Sequence, residues 1–221
     1  MLGGTPRATV LGFFMPEKLK IDCFIDGYNL YHAIKDLRRP ELKWLDLRKL
    51  SEQFVDSNTE ILHKVFYFSA IATHRSKDSV KRHRSYVRAL EARNVEVVLG
   101  KFKRKQLTCK RCKKSYSSHE EKMSDVNLAT SMLISGFSGI RRMLLISGDS
   151  DFASTLEIIR GVGTTIRIIG PPGRPVSEEL RRASGDSHVR KIKNVHLERC
   201  QLSDSIDCGS GRIVVRPKEW T

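Results

Sequence analysis

The sequence predicts an α/β fold, a parallel sheet covered by helices on both faces, and two observations predict it. Short apolar runs that read as strands buried on both faces alternate with segments of helical spacing, the pattern of βαβ crossovers. Two of those strands stop at an aspartate that leads into a helix, and not at a hairpin turn. A chain of 221 residues accommodates one such domain with appendages.

Lys20 to Ile25 is an apolar strand that stops at Asp26. Gly27, Tyr28 and Asn29 then open a helix with Leu30, Ala33, Ile34 and Leu37 on one face, closed by Pro40. Leu47 to Phe54 reads as a short second helix, Ile61 to Ile71 as a β-rich stretch, and Lys77 to Ala92 as a basic helix. The alternation then repeats: strand from Val95 to Phe102, helix from Lys122 to Ile134, strand from Met143 to Ser147, helix from Phe152 to Arg160, strand from Thr164 to Ile169. Beyond Pro171 the pattern weakens, with Glu178 to Ala183 as a last helix and residues 191–221 expected as a C-terminal tail. Residues 1–19 are expected to be a flexible extension, because MPEKLKIDCF from Met15 looks like a natural start. The domain proper is placed at 20–190, with a basic insertion at about 101–120.

No run approaches the roughly 18 apolar residues of a spanning helix, and ATVLGFFM is too short for a convincing signal peptide. Membrane partners are therefore not expected. Five cysteines without a secretory signal read as reduced thiols in the cytoplasm. With 40 basic and 25 acidic residues the chain carries +15, which points to a polyanion, and nucleic acid is the usual one. The excess is concentrated. His74 to Arg93 holds seven Lys or Arg, among them Lys81, Arg82 and Arg84. Lys101 to Lys122 holds nine, among them Lys103, Arg104, Lys105, Lys110 and Arg111. Either run is a phosphate-gripping surface or a solvated one.

In LLISGDSDF, residues 144–152, two aspartates stand at the mouth of a buried strand. One acid suffices to cap the following helix. Two, at the carboxyl end where open α/β sheets bind ligands, point to a metal. If the strands ending at Asp26 and Asp149 are parallel neighbours, Asp26, Asp149 and Asp151 converge, and Asp125 joins them from the next helix start. Clustered carboxylates raise one another's pKa unless a divalent cation is bound, and hard oxygen donors suit Mg²⁺ or Mn²⁺. The chemistry that follows is water activation against a phosphoryl group.

Three stretches in order, IDGYNL (25–30), EKMSDVNLATSML (121–133) and LLISGDSDF (144–152), resemble the NYN domain of the LabA-like group, within the PIN-like nuclease superfamily. The resemblance covers about residues 20–190. It implies a Rossmann-like sheet and Mg²⁺- or Mn²⁺-dependent cleavage of RNA, single-stranded or structured. It makes Asp26, Asp125, Asp149 and Asp151 the acidic metal pocket, Asn29 the polar residue completing the first motif, and Ser147 a shaper of the turn. The chain departs from the family pattern at Ser131, where relatives carry an aspartate, and at Met123 and Ser124, where they carry Gly-Val. A missing acid at 131 would weaken the pocket, so an RNA-binding adaptor of the same fold is the rival reading, with a DNA flap-type nuclease as a third.

Cys109-x-x-Cys112 has the spacing of half a tetrahedral Zn²⁺ site, and His119 could supply a third ligand from the same loop. The alternative is a basic loop with two free thiols. The remaining histidines share no spacing and read as core or surface residues. Tyr28 and Tyr31 either stack a base or pack beside the strand end, and Arg141 and Arg142 either contact phosphate or are solvated.

Overall fold

The computed structural model describes residues 17–185 and 188–221. Most of the extension expected at the N-terminus, residues 1–16, lies outside the described residues. Seven strands form one sheet: β1 (Leu19–Asp26), β2 (Glu60–Ala70), β3 (Glu96–Thr108), β4 (Ser115–Lys122), β5 (Arg142–Ile146), β6 (Thr165–Gly170) and β7 (Val189–Lys191). Their order is β4-β3-β2-β1-β5-β6-β7. Every pairing is parallel except that of β3 with β4. This is the α/β, PIN-like architecture expected.

Period-two alternation sends opposite faces of each strand into separate cores. Ile21, Cys23 and Ile25 of β1 join Leu144 and Ile146 of β5 against α1 (Gly27–Asp36), α2 (Leu47–Glu52) and α3 (Lys77–Glu91). Phe24, Phe68, Leu145, Ile166 and Ile168 face the other way, against α4 (Ser124–Phe137), α5 (Ala153–Gly161) and α6 (Glu178–Ser184). The chain leaves β1 toward β2 and β3 with helices on the first face. It returns through α4 and lays β5 on the opposite side of β1, with helices on the second face. The order of the strands therefore reverses between β1 and β5, and the carboxyl ends of that pair form the crevice where open α/β sheets take ligands.

Two segments differ from the sequence expectation. The basic insertion is not a loop: β3 runs on past the sheet and pairs with β4 from Lys101↔Lys122 to Thr108↔Ser115, a long antiparallel arm. Residues 191–221 are not a loose tail. Leu197, Cys200, Leu202, Ile206 and Val214 are buried in the first core, from α7 (Asn194–Arg199) and a small hairpin of β8 (Ser205–Asp207) and β9 (Ile213–Val215). Backbone bonds lock the segment down. Asp46 N–H donates to Cys200 carbonyl at 2.7 Å and Leu202 N–H to Trp44 carbonyl at 2.9 Å. Trp44, fully buried, donates its indole N–H to Ser203 carbonyl at 2.8 Å, and Trp220 packs on Trp44 and Tyr86 with ring centroids 6.1 and 6.0 Å away.

Trp44→Ala is expected to cost about 3–5 kcal/mol, because it empties a fully buried site under the C-terminal segment. Ile213→Ala, at a side chain 66 % exposed, should cost under about 0.5 kcal/mol. Urea unfolding of the two variants checks the contrast.

Candidate active site

Asp26 ends β1 and caps α1. Its carboxylate is 6 % exposed; one oxygen accepts the Asn29 N–H at 2.9 Å and the other the Ser147 hydroxyl at 2.9 Å. Ser147, the first residue past β5, is fully buried and its Oγ also takes the Asp149 N–H at 3.2 Å. Asn29 crosses the crevice, its side-chain oxygen accepting the Gly148 N–H at 3.3 Å. Asp149 in turn caps the turn that follows, accepting the Asp151 N–H at 3.1 Å. The capping reading is thus correct for Asp26 and Asp149, each of which accepts an N–H at the start of the helix that follows it. The backbone is drawn tight around them. A Cβ on Gly27 would lie 2.4 Å from Phe68 carbonyl oxygen, and one on Gly148 2.7 Å from Pro175 carbonyl oxygen.

Capping does not account for their mutual charge. Burial pushes the Asp26 carboxyl up to about 6; the Asn29 and Ser147 hydrogen bonds oppose this, and Asp125 and Asp149 raise it further. Asp125, in the first turn of α4, is also raised, by burial and then by Asp149 and Asp151. Four aspartates from three separate segments therefore feel one another, as the sequence expectation has it. Sequence reasoning passed over a fifth acid. Glu121, at the end of β4, is half-buried, accepts the Ser124 hydroxyl, and is raised by its burial and by Asp125. Its position beside Lys122 and Met123, in the quoted stretch, was the available signal.

Ser131 lies elsewhere. It lines a cleft at the amino edge of the sheet with Asp22, His63 and Ser135. Six residues along α4 from Asp125, it is roughly 9 Å further down the helix axis. The residue expected to weaken the acidic pocket is outside it, and its side chain says nothing about that pocket's charge.

Beside the acids a cleft of ≈ 250 Å³ opens between α1, α3 and the base of the β3–β4 arm. Tyr28 and Tyr31 line it, 53 % and 42 % exposed, opposite Lys43, Arg75, Arg82 and Phe102. At its mouth the rings of His74 and His119 stack at 3.9 Å. Arg82 turns inward and pairs with Glu219 at 2.6 Å, whereas Lys81 and Arg84 stay on the outer face of α3 around a separate shallow depression. Lys103, Arg104 and Lys105 stand exposed along β3, Lys105 within 3.6 Å of Glu120. Lys110 and Arg111 are exposed at the tip of the arm, next to Cys109 and Cys112. His119 is not with them: it faces Arg104 across the arm, on rungs well below the tip. The structure separates it from the cysteine pair.

A family model for the NYN domain matches residues 20–191. The chain belongs to the NYN domain family. That family sits in the PIN-like superfamily, whose fold is nuclease-like and whose members typically use divalent metals on nucleic acid. In fold the NYN domain is similar to a crystal structure of a protein of unknown function from Vibrio parahaemolyticus, at 21 % identity and a TM-score of 0.53, over 80 % of this chain and 94 % of that one. A search of curated proteins found no match. Among the described residues no helix is long and apolar enough to cross a membrane.

Among the described residues no three His, Cys, Asp or Glu side chains stand close enough to share an ion as placed. The donor chemistry of the NYN pocket nonetheless fits a hard divalent cation. Asp125 and Asp151 are exposed and Asp149 is partly exposed, and each Asp26 oxygen keeps a lone pair beyond the hydrogen bond it accepts.

With Asp26 raised from 3.8 to about 6, the folded state binds a proton more tightly than the unfolded one, so ionising Asp26 lowers stability as pH rises from about 4 to 6. The shift corresponds to roughly 3 kcal/mol at most. In metal-free buffer Asp26→Asn should therefore melt higher than wild type at pH 7, and the gap should close below about pH 4. Thermal melts in chelator across that range check it.

Proposed function

We propose that this NYN domain is a metal-dependent endoribonuclease that cleaves RNA phosphodiesters at the crevice between β1 and β5. The observation that carries the reading is the set of mutually repelled aspartates, Asp26, Asp125 and Asp149, at the carboxyl edge of a chain of net charge +15. A fold spends stability to assemble such a cluster, and a cation bound there would relieve the repulsion. Asp26, Asp125, Asp149 and Asp151 are the residues that would hold Mg²⁺ or Mn²⁺. When bound, the ion supplies a more acidic water and neutralises charge on the phosphoryl oxygens.

The chain's own groups do the rest. Asn29, with its side-chain oxygen engaged by Gly148, leaves its amide N–H groups free to donate to a phosphate oxygen. Tyr28 and Tyr31, exposed beside the acids, offer faces on which unpaired bases stack, which favours single-stranded RNA. Lys81 and Arg84 on α3 and Lys103, Arg104, Lys105, Lys110 and Arg111 on the arm would hold the backbone as it leaves the crevice. Ser131 lies outside the pocket, so the substitution at 131 does not argue for the adaptor reading, and the cleavage assay below distinguishes the two. The five free thiols fit work in a reducing, cytoplasmic setting.

Cleavage of a labelled single-stranded RNA with Mn²⁺ should be abolished by chelator and lowered about 10²–10³-fold or more by Asp149→Asn, with folding intact. Unchanged cleavage by that variant removes the assignment. Faster cleavage of the matching DNA would move the substrate class to DNA.

Neutralising Lys103, Arg104 and Lys105 together should weaken RNA binding across sequences and reduce the salt slope by up to roughly two, at about 0.7 per phosphate contact on single strands. Binding titrations at several salt concentrations measure it, and an unaltered slope makes this run a solvated surface only.

A further inference from the structure

The tip of the β3–β4 arm carries chemistry that the nuclease reading does not use. Cys109 N–H donates to Lys114 carbonyl at 2.9 Å and Lys113 N–H to Cys109 carbonyl at 2.9 Å, with Lys113 in the left-handed region at φ 57°. The turn places Cys109 and Cys112 together at the tip, where the backbone N–H groups of Cys112 and Arg111 and the Cys112 thiol hold the Cys109 thiol below its ordinary pKa. Backbone donors aimed at sulfur favour thiolate over thiol. Two sulfurs side by side at Cys-x-x-Cys spacing are half of a tetrahedral zinc set.

Among the described residues no second pair of ligands stands beside the first. Cys23 and Cys200 are fully buried in the core, and Cys208 lies against the Arg88 carbonyl of α3. His119 is five residues from Lys114 along β4, roughly 17 Å from the tip, and is stacked on His74. Residues 1–16 contain no Cys, His, Asp or Glu, and among the described residues no three such groups cluster. The tip itself is open. Beyond Gly100, β3 pairs only with β4; the base of the arm rests on His74 through Phe102 and His119, while at the tip Cys112, Lys110 and Arg111 are exposed.

We propose that Cys109 and Cys112 are half of a zinc site completed by the same pair from a second copy of this chain, joining two arms tip to tip through one Zn(Cys)₄ centre. As four Zn–S bonds form, four thiol protons pass to solvent; no oxidant or reductant takes part. The centre carries a charge of −2, and Lys110, Arg111, Lys113 and Lys114 of each arm surround it with positive charge. Softness keeps the two metals apart, since thiolates select zinc and the carboxylates of the crevice select Mg²⁺ or Mn²⁺. The basic residues of two tips still repel each other, so added salt should strengthen the zinc-bridged pair while it weakens RNA binding.

The test titrates the metal-stripped, phosphine-reduced full chain with Co²⁺ and then Zn²⁺, followed by absorbance and sedimentation. Thiolate-to-cobalt charge-transfer bands distinguish binding at the tip from binding by the carboxylates. The expected result is one thiolate-bound metal per two chains and a doubling of mass that chelator reverses. Both should be lost in Cys109→Ser and Cys112→Ser and kept in His119→Gln. One thiolate-bound metal per chain without a mass change, no thiolate-bound metal, or a doubling that survives Cys109→Ser would each overturn the proposal. None of these readouts depends on cleavage, so failure here leaves the nuclease reading untouched, and the reverse.

Discussion

A carboxylate that is 6 % exposed and faces two more acids survives folding only where the surrounding backbone cannot yield, and β1 provides that place. The strand is paired on both edges, by β2 and β5, and both of its faces are packed, so neither the strand nor its last residue can move aside. Asp26 therefore pins three things at once. It caps α1 through Asn29, holds β5 through Ser147, and sets one side of a crevice to which Asp149 adds the other. Asn29 closes the loop by reaching back to Gly148. The acidic crevice is a by-product of the strand-order reversal, because only there do two adjacent strands send their following helices to opposite faces and leave a gap between their ends.

The same sheet handles another buried acid in the opposite way. Asp22, four residues earlier on the same side of β1, is 2 % exposed, yet its oxygens are taken by His63 and Ser135, each at 2.8 Å. His63 reaches it because the pairing of β1 with β2 slips at this point, Ile21 facing Leu62 and Asp22 facing Lys64, and the extra residue is re-aimed. Both carboxylates accept a neighbouring hydroxyl, but Asp22 has a histidine beside it, whereas Asp26 has a backbone N–H and two further carboxylates. What separates them is charge: Asp22 faces a histidine, Asp26 faces like charges, which supports the proposed cation at the crevice. That contrast within one strand is a stronger argument for the crevice than proximity of acids alone.

Legibility in the sequence followed the strength of the local signal. β1, β5 and β6 are continuous apolar runs and were readable within a residue or two, as was α3 with its Ser76 cap. The acids were readable because each ends such a run. β4 was not, since SYSSHEEK has no apolar alternation and is held as a strand by its ladder with β3, a contact invisible to a local reading. The C-terminal segment failed for a related reason: three-residue strands contribute one buried side chain each, Ile206 and Val214, too few to show a period. His119 looked close to the cysteines by count, ten residues from Cys109, but an extended arm turns sequence proximity into distance. Ser131 misled in the converse way, since a helix carries a residue six positions on to the other edge of the sheet.

The distribution of charge then orders the molecule. The chain carries a net +15, and its densest basic runs lie on α3 and the β3–β4 arm, whereas Asp26, Asp125, Asp149 and Asp151 share one recess beside them. A polyanion approaching this surface is attracted everywhere except at the recess, where bare carboxylates would repel the phosphate. Under the proposed function, long-range capture and local admission are separate events with different controls: salt would govern the first through the exposed Lys and Arg, and the charge state of the recess the second. A divalent cation bound there would reverse the sign of the local field and admit the phosphate. The Asp26 carboxyl is raised first by its burial and further by Asp125 and Asp149, so under the proposed function the basic surface and the acidic crevice act together, the one on the approaching strand and the other on the cation.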